Sequence, residues 1–153
     1  MEIKISALLA ETSVCLNLKA RNKEETIKSM IGMLDDAGMV TDSEQLFRAL
    51  WEREELETTG IGDGVALPHC RTDAVKHMLV AFARSTEGIE FKSLDGKPVY
   101  LLFLVAAPRN ESTQVLKLLA CIARLVNHAD FRSALLSAQT KEEVLELIRK
   151  REA

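Results

Sequence analysis

Apolar residues recur at helical spacing in several separate stretches of this chain. Ile27, Met30, Ile31 and Leu34 follow Asn22-Lys23-Glu24-Glu25, where Asn22 can cap a first turn, Glu25 sits three residues on, and Gly38 closes the element. Asp42 with Gln45 repeats the start signal, and Leu46, Phe47, Leu50 and Trp51 form the apolar face of a second helix running to about Leu56. A third helix starts near Ser112 or Thr113. Its Val115, Leu116, Leu118, Leu119, Ile122, Leu125 and Val126 surround much of its circumference, which predicts deep burial. A short helix over 131–136 precedes a last one, which Thr140 and Glu143 open as a capping box and Val144, Leu145 and Ile148 dock. Residues 6–10 suggest one further helical turn.

Other stretches follow strand rules. Val14-Cys15-Leu16-Asn17-Leu18 alternates, and a strand over 78–83 opens at His77, read as an exposed strand-end residue. Glu87-Gly88-Ile89 and Leu94-Asp95-Gly96-Lys97-Pro98 are turn signals. Val99 to Val105 is uninterrupted apolar sequence, β-branched and aromatic, ending at Ala106-Ala107-Pro108. Such a run predicts a strand buried on both faces, so helices must cover both sides of its sheet. An α/β layered architecture follows.

Size and charge narrow the class. A chain of 153 residues, 47% hydrophobic and 28% charged, fits one globular domain over residues 1–153. Its net charge of −3 is spread among interspersed acids and bases, with no basic face for nucleic acid or membrane. The longest apolar run, Val99 to Ala107, is under half the roughly 20 residues of a membrane span. Met1-Glu2-Ile3-Lys4-Ile5 lacks a signal-peptide pattern. Cys15, Cys70 and Cys121 are odd in number without CxxC spacing, which suits a reducing compartment. The expected location is the cytoplasm.

The candidate chemistry lies in Thr58-Thr59-Gly60-Ile61-Gly62-Asp63-Gly64-Val65-Ala66-Leu67-Pro68-His69. Gly60, Gly62 and Gly64 permit positive φ and close approach, so their N–H groups could cradle an anion. Alternating glycines also mark plain tight turns. Pro68 fixes its own φ, biases Leu67 to extended geometry, and delivers His69 from a stiff segment. An imidazole there can serve as base, metal ligand or nucleophile, and beside an anion-binding loop it suggests phosphate chemistry. Arg53 lies on the later turns of the second helix before Glu54 and Glu55, a pattern usual for a solvated face. Arg71 could add positive potential near His69. His128, near the end of the third helix, suits a helix C-terminus.

The whole string from Thr58 to His69 resembles the active-site signature of the phosphotransferase-system enzyme IIA domains of the fructose/mannitol and nitrogen-regulatory class. The resemblance extends to Arg53, the Leu94–Val99 turn and strand, Ala106-Ala107-Pro108 and the C-terminal helices. It implies a mixed β-sheet with helices on both faces and His69 as phosphoryl acceptor in a shallow depression. It further implies that Arg53 favours the phosphorylated form, and that backbone N–H groups of Gly60, Gly62 and Gly64, with Arg71, neutralise the transferring oxygens. The implied donor is the histidine-containing phosphocarrier protein, with no metal or organic cofactor. Cys70 departs from the small residue that often follows the histidine, whereas Arg71 fits a nearby basic residue. Where many members carry a second histidine, counting through Leu116-Lys117-Leu118-Leu119-Ala120 places Val115, with Gln114 beside it as a substitute hydrogen-bonding group. A free-standing domain of this length resembles the nitrogen-regulatory branch, which controls partner proteins. A sugar-uptake IIA donating to a IIB domain is the alternative. Two other readings stand beside these: a zinc or thiol enzyme using His69 and Cys70, and a binding module whose histidine is never phosphorylated.

Overall fold

The computed structural model describes residues 3–152; residues 1, 2 and 153, including the start of the segment read for a signal peptide, lie outside it. Its strands are β1 (Val14–Cys15), β2 (Gly60–Gly62), β3 (Val65–Ala66), β4 (His69–Arg71), β5 (Leu79–Ile89) and β6 (Val99–Ala107). Its α-helices are α1 (Lys23–Asp36), α2 (Ser43–Leu56), α3 (Ser112–Val126), α4 (Ala129–Ser137) and α5 (Lys141–Glu152).

The sheet has the order β1-β5-β6-β3-β2, with β4 also paired to β6. It is mixed: β5–β6 and β2–β3 are antiparallel, while β1–β5, β3–β6 and β4–β6 are parallel. The period-two alternation of β6 divides its side chains between two cores. Leu101, Phe103 and Val105 pack with Leu118, Ile122, Phe131, Leu135, Val144 and Ile148 of α3, α4 and α5. Leu102, Leu104 and Ala106 pack with Ile27, Met30, Leu34, Leu46 and Leu50 of α1 and α2. Each such Leu or Phe, fully removed from water, contributes about 1.5–3 kcal/mol. The uninterrupted apolar run is therefore the centre of the molecule, with helices on both its faces as expected.

The helix starts are built as their sequences indicate. Asn22 Oδ1 accepts the Glu25 N–H at 3.0 Å, Asp42 Oδ1 accepts that of Gln45 at 3.1 Å, and Thr140 Oγ1 accepts that of Glu143 at 3.1 Å. At the other end of α4, the buried Arg84 of β5 donates from Nη1 to the carbonyls of Leu135 (2.9 Å), Leu136 (3.2 Å) and Ala138 (2.5 Å). A guanidinium thereby satisfies last-turn carbonyls that a helix leaves open.

Several elements differ from the sequence expectation. The turn expected over 6–10 is a 3-10 turn at Ile5–Ala7, a second 3-10 turn follows at Glu11–Ser13, and only Val14–Cys15 of the alternating 14–18 stretch pairs as strand. His77 lies exposed ahead of β5 rather than opening it. Glu87-Gly88-Ile89, read as a turn, forms the last three residues of β5, which therefore runs on past Ala83; the register jumps between Arg84 and Ile89, and Gly88 takes φ +89° in the bulge. The third helix is not buried all round. Val115, Leu118, Ile122 and Val126 face the core, while Leu116 is 69% exposed. His128 follows α3 and occupies the N-cap position of α4, where its side chain makes no capping hydrogen bond.

Candidate functional site

Pro68 sets the position of His69. Strands β3 and β4 run along the same edge of β6, at Leu101–Leu102 and at Val105–Ala107, with Leu67 and Pro68 between them. Pro68 has no N–H to offer the ladder, but its carbonyl accepts the Val105 N–H at 2.9 Å, so the track continues. His69 then pairs with Val105 at the carboxyl end of the buried strand.

The imidazole is half-buried, with Nδ1 2.7 Å from the Leu67 carbonyl oxygen. A carbonyl can only accept, so Nδ1 carries the proton and donates it, leaving the lone pair on Nε2. Burial, the largest influence, holds the His69 pKa below its ordinary value; the Leu67 carbonyl pulls the other way, and the Arg53 charge lowers it further against a small opposing effect of Glu54. His69 is therefore a neutral imidazole at neutral pH with its nucleophilic nitrogen fixed.

It lies in a cavity of about 570 Å³ between α2, β4 and the start of α3. Glu52, Arg53 and Leu56 come from α2, Arg71 follows His69 on β4, and Arg109 precedes α3. Arg53 donates one Nη1 bond to the Glu57 carbonyl at 2.9 Å, which leaves most of its five N–H groups free for an anion. Arg71 has no ion pair among the described residues, and Arg109 has only an exposed 3.6 Å pair with Asp73. Three arginines thus line the cavity of one neutral imidazole, and the Arg53 charge is the one that acts on its pKa.

Beside Arg53, Glu54 is buried rather than solvated. Its carboxylate accepts Lys23 Nζ at 2.8 Å, the Thr59 N–H at 2.9 Å and the Thr59 hydroxyl, while Lys23 also reaches Thr58 Oγ1 at 3.0 Å. This network ties the end of α2, and with it Arg53, to the chain leading into β2. Leu46, Leu50 and Glu54 are four residues apart on one stripe, so a charge on the apolar face was the available signal.

The glycines build something other than an anion cradle. Asp63 (φ +56°) and Gly64 (φ +78°) form the two-residue turn of the β2–β3 hairpin, in which both central residues need positive φ. The N–H groups of Gly60, Gly62 and Asp63 donate to Thr58 Oγ1, Ser93 Oγ and Asp95 Oδ2, each at 3.2 Å. None of Gly60, Gly62 and Gly64 lines the His69 cavity. A Cβ on Gly60 would come within 2.8 Å of Ser93 Oγ, so close backbone packing explains that residue. Asp-Gly between short strands was a hairpin signal in its own right.

On the opposite wall, Val115 lines the cavity but Gln114 is exposed and outside it. The polar side chain that α3 does present to the cavity is Ser112, which sequence reasoning passed over although it lies three residues, hence one turn, before Val115. Cys70 packs with the α1–α2 core, and burial pushes its thiol up to about 12, which removes it as a nucleophile. Among the described residues no group of three or more His, Cys, Asp and Glu is placed to hold a metal ion.

The site therefore offers one nucleophilic imidazole nitrogen beside guanidinium donors suited to an anion. A family model described as phosphoenolpyruvate-dependent sugar phosphotransferase system, EIIA 2, matches residues 7–151, and the chain belongs to that family. It is 38% identical over 144 residues to a fructose-specific EIIA component of Haloferax volcanii, covering 94% of each chain. It is 34% identical to a fructose-specific EIIABC component of Bacillus subtilis, of whose length it spans 23%. Among solved structures it superposes on nitrogen regulatory protein IIA-Ntr of Neisseria meningitidis with a TM-score of 0.88 at 30% identity, covering 94% of this chain and 98% of that one. It also matches a mannitol enzyme IIA of Escherichia coli, solved in complex with phosphorylated enzyme IIB, with a TM-score of 0.78 at 28% identity, covering 94% of this chain and 98% of that one. Relatives of both the sugar-specific and the nitrogen-regulatory kind therefore share this fold.

Proposed function

We propose that this protein is a cytoplasmic phosphohistidine carrier that accepts a phosphoryl group on His69 from the histidine-containing phosphocarrier protein and passes it on. The observation that carries this reading is the His69 ring itself, neutral and held by Leu67 so that only Nε2 can attack. In the transfer, Nε2 forms an N–P bond as the N–P bond of the donor imidazole breaks, the electron pair returning to the donor nitrogen. Nδ1 keeps its proton throughout, and the Leu67 carbonyl stabilises the positive charge the phosphorylated ring acquires. Arg53, Arg71 and Arg109 neutralise the oxygens, and positioning with charge compensation supplies most of what phosphoryl transfer requires. No step uses a metal or an organic cofactor.

The acceptor we favour is a regulated protein, as in the nitrogen-regulatory branch, supported by the 0.88 TM-score to the Neisseria meningitidis protein. The 38% identity to a fructose-specific component favours a second reading, donation to a IIB domain. Intact-mass measurement near neutral or alkaline pH tests the carrier role. Incubation with phosphoenolpyruvate, enzyme I and the phosphocarrier should add one phosphate to the wild type and none to His69→Ala. Addition of a IIB domain should then leave the phosphate in place on the regulatory reading and drain it on the sugar reading. Absence of phosphate on the wild type would leave a binding module.

A further inference from the structure

Three residues of α3 line the wall of the cavity occupied by His69: Ser112, its first residue, then Val115 and Leu116 one turn later, and Ser112 is the polar one. Val115 is apolar and 4% exposed, so it excludes water without offering a hydrogen bond. Ser112 is half-buried, and its hydroxyl has no hydrogen-bond partner among the described residues. That hydroxyl neither caps α3 nor bonds back to a carbonyl of the preceding turn, the two local uses a serine at a helix start normally has. Its place in the fold is equally well fixed, because Val115 and Leu118 on the same helix face are locked into the core. The cavity thus holds one fixed, uncommitted hydroxyl among three guanidinium groups that carry charge but are long and flexible.

We propose that Ser112 is a phosphoryl-binding residue of this site: its hydroxyl donates a hydrogen bond to an oxygen of the phosphoryl group carried on His69. The inference rests on the carrier reading and assigns to this chain a contact that neither Val115 nor Gln114 can make, the one being apolar and the other outside the cavity. A charge-assisted O–H···O bond stabilises the phosphorylated form selectively, because without the phosphoryl group the Ser112 hydroxyl has no bonded acceptor, Glu52 of the same cavity included. A hydroxyl also contributes this without titrating, so the contact persists over the whole pH range in which the phosphohistidine survives.

The test compares wild type, Ser112→Ala, Ser112→Thr and Thr113→Ala at equilibrium with the phosphocarrier, reading the fraction of each protein phosphorylated by intact mass. Thr113 is exposed and outside the cavity. Ser112→Ala should shift the phosphoryl equilibrium about tenfold toward the donor, with the phosphorus NMR shift of the phosphohistidine displaced. Ser112→Thr, which keeps the hydroxyl, should restore both, and Thr113→Ala should change neither. A phosphorylated wild type matched by Ser112→Ala in equilibrium and NMR shift overturns the inference and leaves the carrier role standing. A wild type that takes up no phosphate overturns the carrier role and the Ser112 contact together.

Discussion

The β2–β3 hairpin and the His69 segment are neighbours in one continuous stretch, and they use their polar groups in opposite ways. In the hairpin, the N–H groups of Gly60, Gly62 and Asp63 are all engaged by Thr58, Ser93 and Asp95, and the Gly64 carbonyl accepts from Tyr100 and Leu101 at 2.8 and 2.9 Å. In the His69 segment, the imidazole makes one bond, to Leu67, and faces a cavity in which Arg53, Arg71 and Ser112 keep donors in reserve. A glycine-rich string beside a reactive histidine therefore need not touch the ligand. Here the glycines allow the chain to turn tightly against Ser93 and Tyr100, and the cationic side chains of the His69 cavity come from outside the hairpin.

Glu54 joins the two regions, and removing it should have the largest effect. Glu54→Ala leaves the half-buried Lys23 without its carboxylate and the buried Thr59 without its acceptor, for a loss of about 3–5 kcal/mol in urea unfolding. Phosphoryl uptake by the fraction still folded should fall as well, since Arg53 loses its anchor. Uptake that survives intact would show that the network supports the hairpin alone.

Next in size is Arg53→Ala, expected to slow uptake about ten- to a hundredfold with unfolding free energy changed by no more than ~1 kcal/mol. Because the Arg53 charge helps hold the His69 pKa down, the same variant should show that pKa moved upward in an NMR titration. An unchanged uptake rate would remove Arg53 from the site.

Gly60→Ala inverts this pattern. Its Cβ would meet Ser93 Oγ at 2.8 Å and Ser93 Cα at 2.9 Å, which should destabilise the fold by about 1–3 kcal/mol while uptake per folded molecule stays at the wild-type value. A variant of full stability with impaired uptake would return the hairpin to the phosphate site.

The smallest effect is the pH dependence of stability. His69 titrates below its ordinary value in the folded protein, so on acidification the unfolded chain binds its proton first, near pH ~6.5. Stability contributed by the neutral ring is present above that pH and is lost as pH falls toward the folded pKa. His69→Gln should flatten the decline in that window, measured by urea midpoints. An unaltered slope would mean that His69 is solvated like the unfolded chain.

The layered fold was legible because β6 has one strong pattern, an apolar run that only a strand covered on both faces can satisfy. The starts of α1, α2 and α5 were legible because Asn22, Asp42 and Thr140 satisfy backbone donors within their own turn. The limits of β5 were not. Gly88 reads locally as a turn, and only pairing with β6 makes it a bulge inside a longer strand. His69 and Arg53 could be picked out by resemblance, but the tautomer could not, since it depends on where the Leu67 carbonyl points. Ser112 escaped notice because nothing in Glu111-Ser112-Thr113-Gln114 says which polar residue faces the cavity; the rotation of α3, set by Val115, Leu118 and Ile122, decides it.

The most direct test of the central claim is nitrogen and phosphorus NMR on the phosphorylated protein with ¹⁵N-labelled histidine. Phosphate bonded to Nε2 of His69, with a protonated Nδ1 still hydrogen-bonded to Leu67, is the expected result. Phosphate on Nδ1, or on any residue other than His69, would contradict the assignment of this ring as a nucleophile fixed by its own backbone.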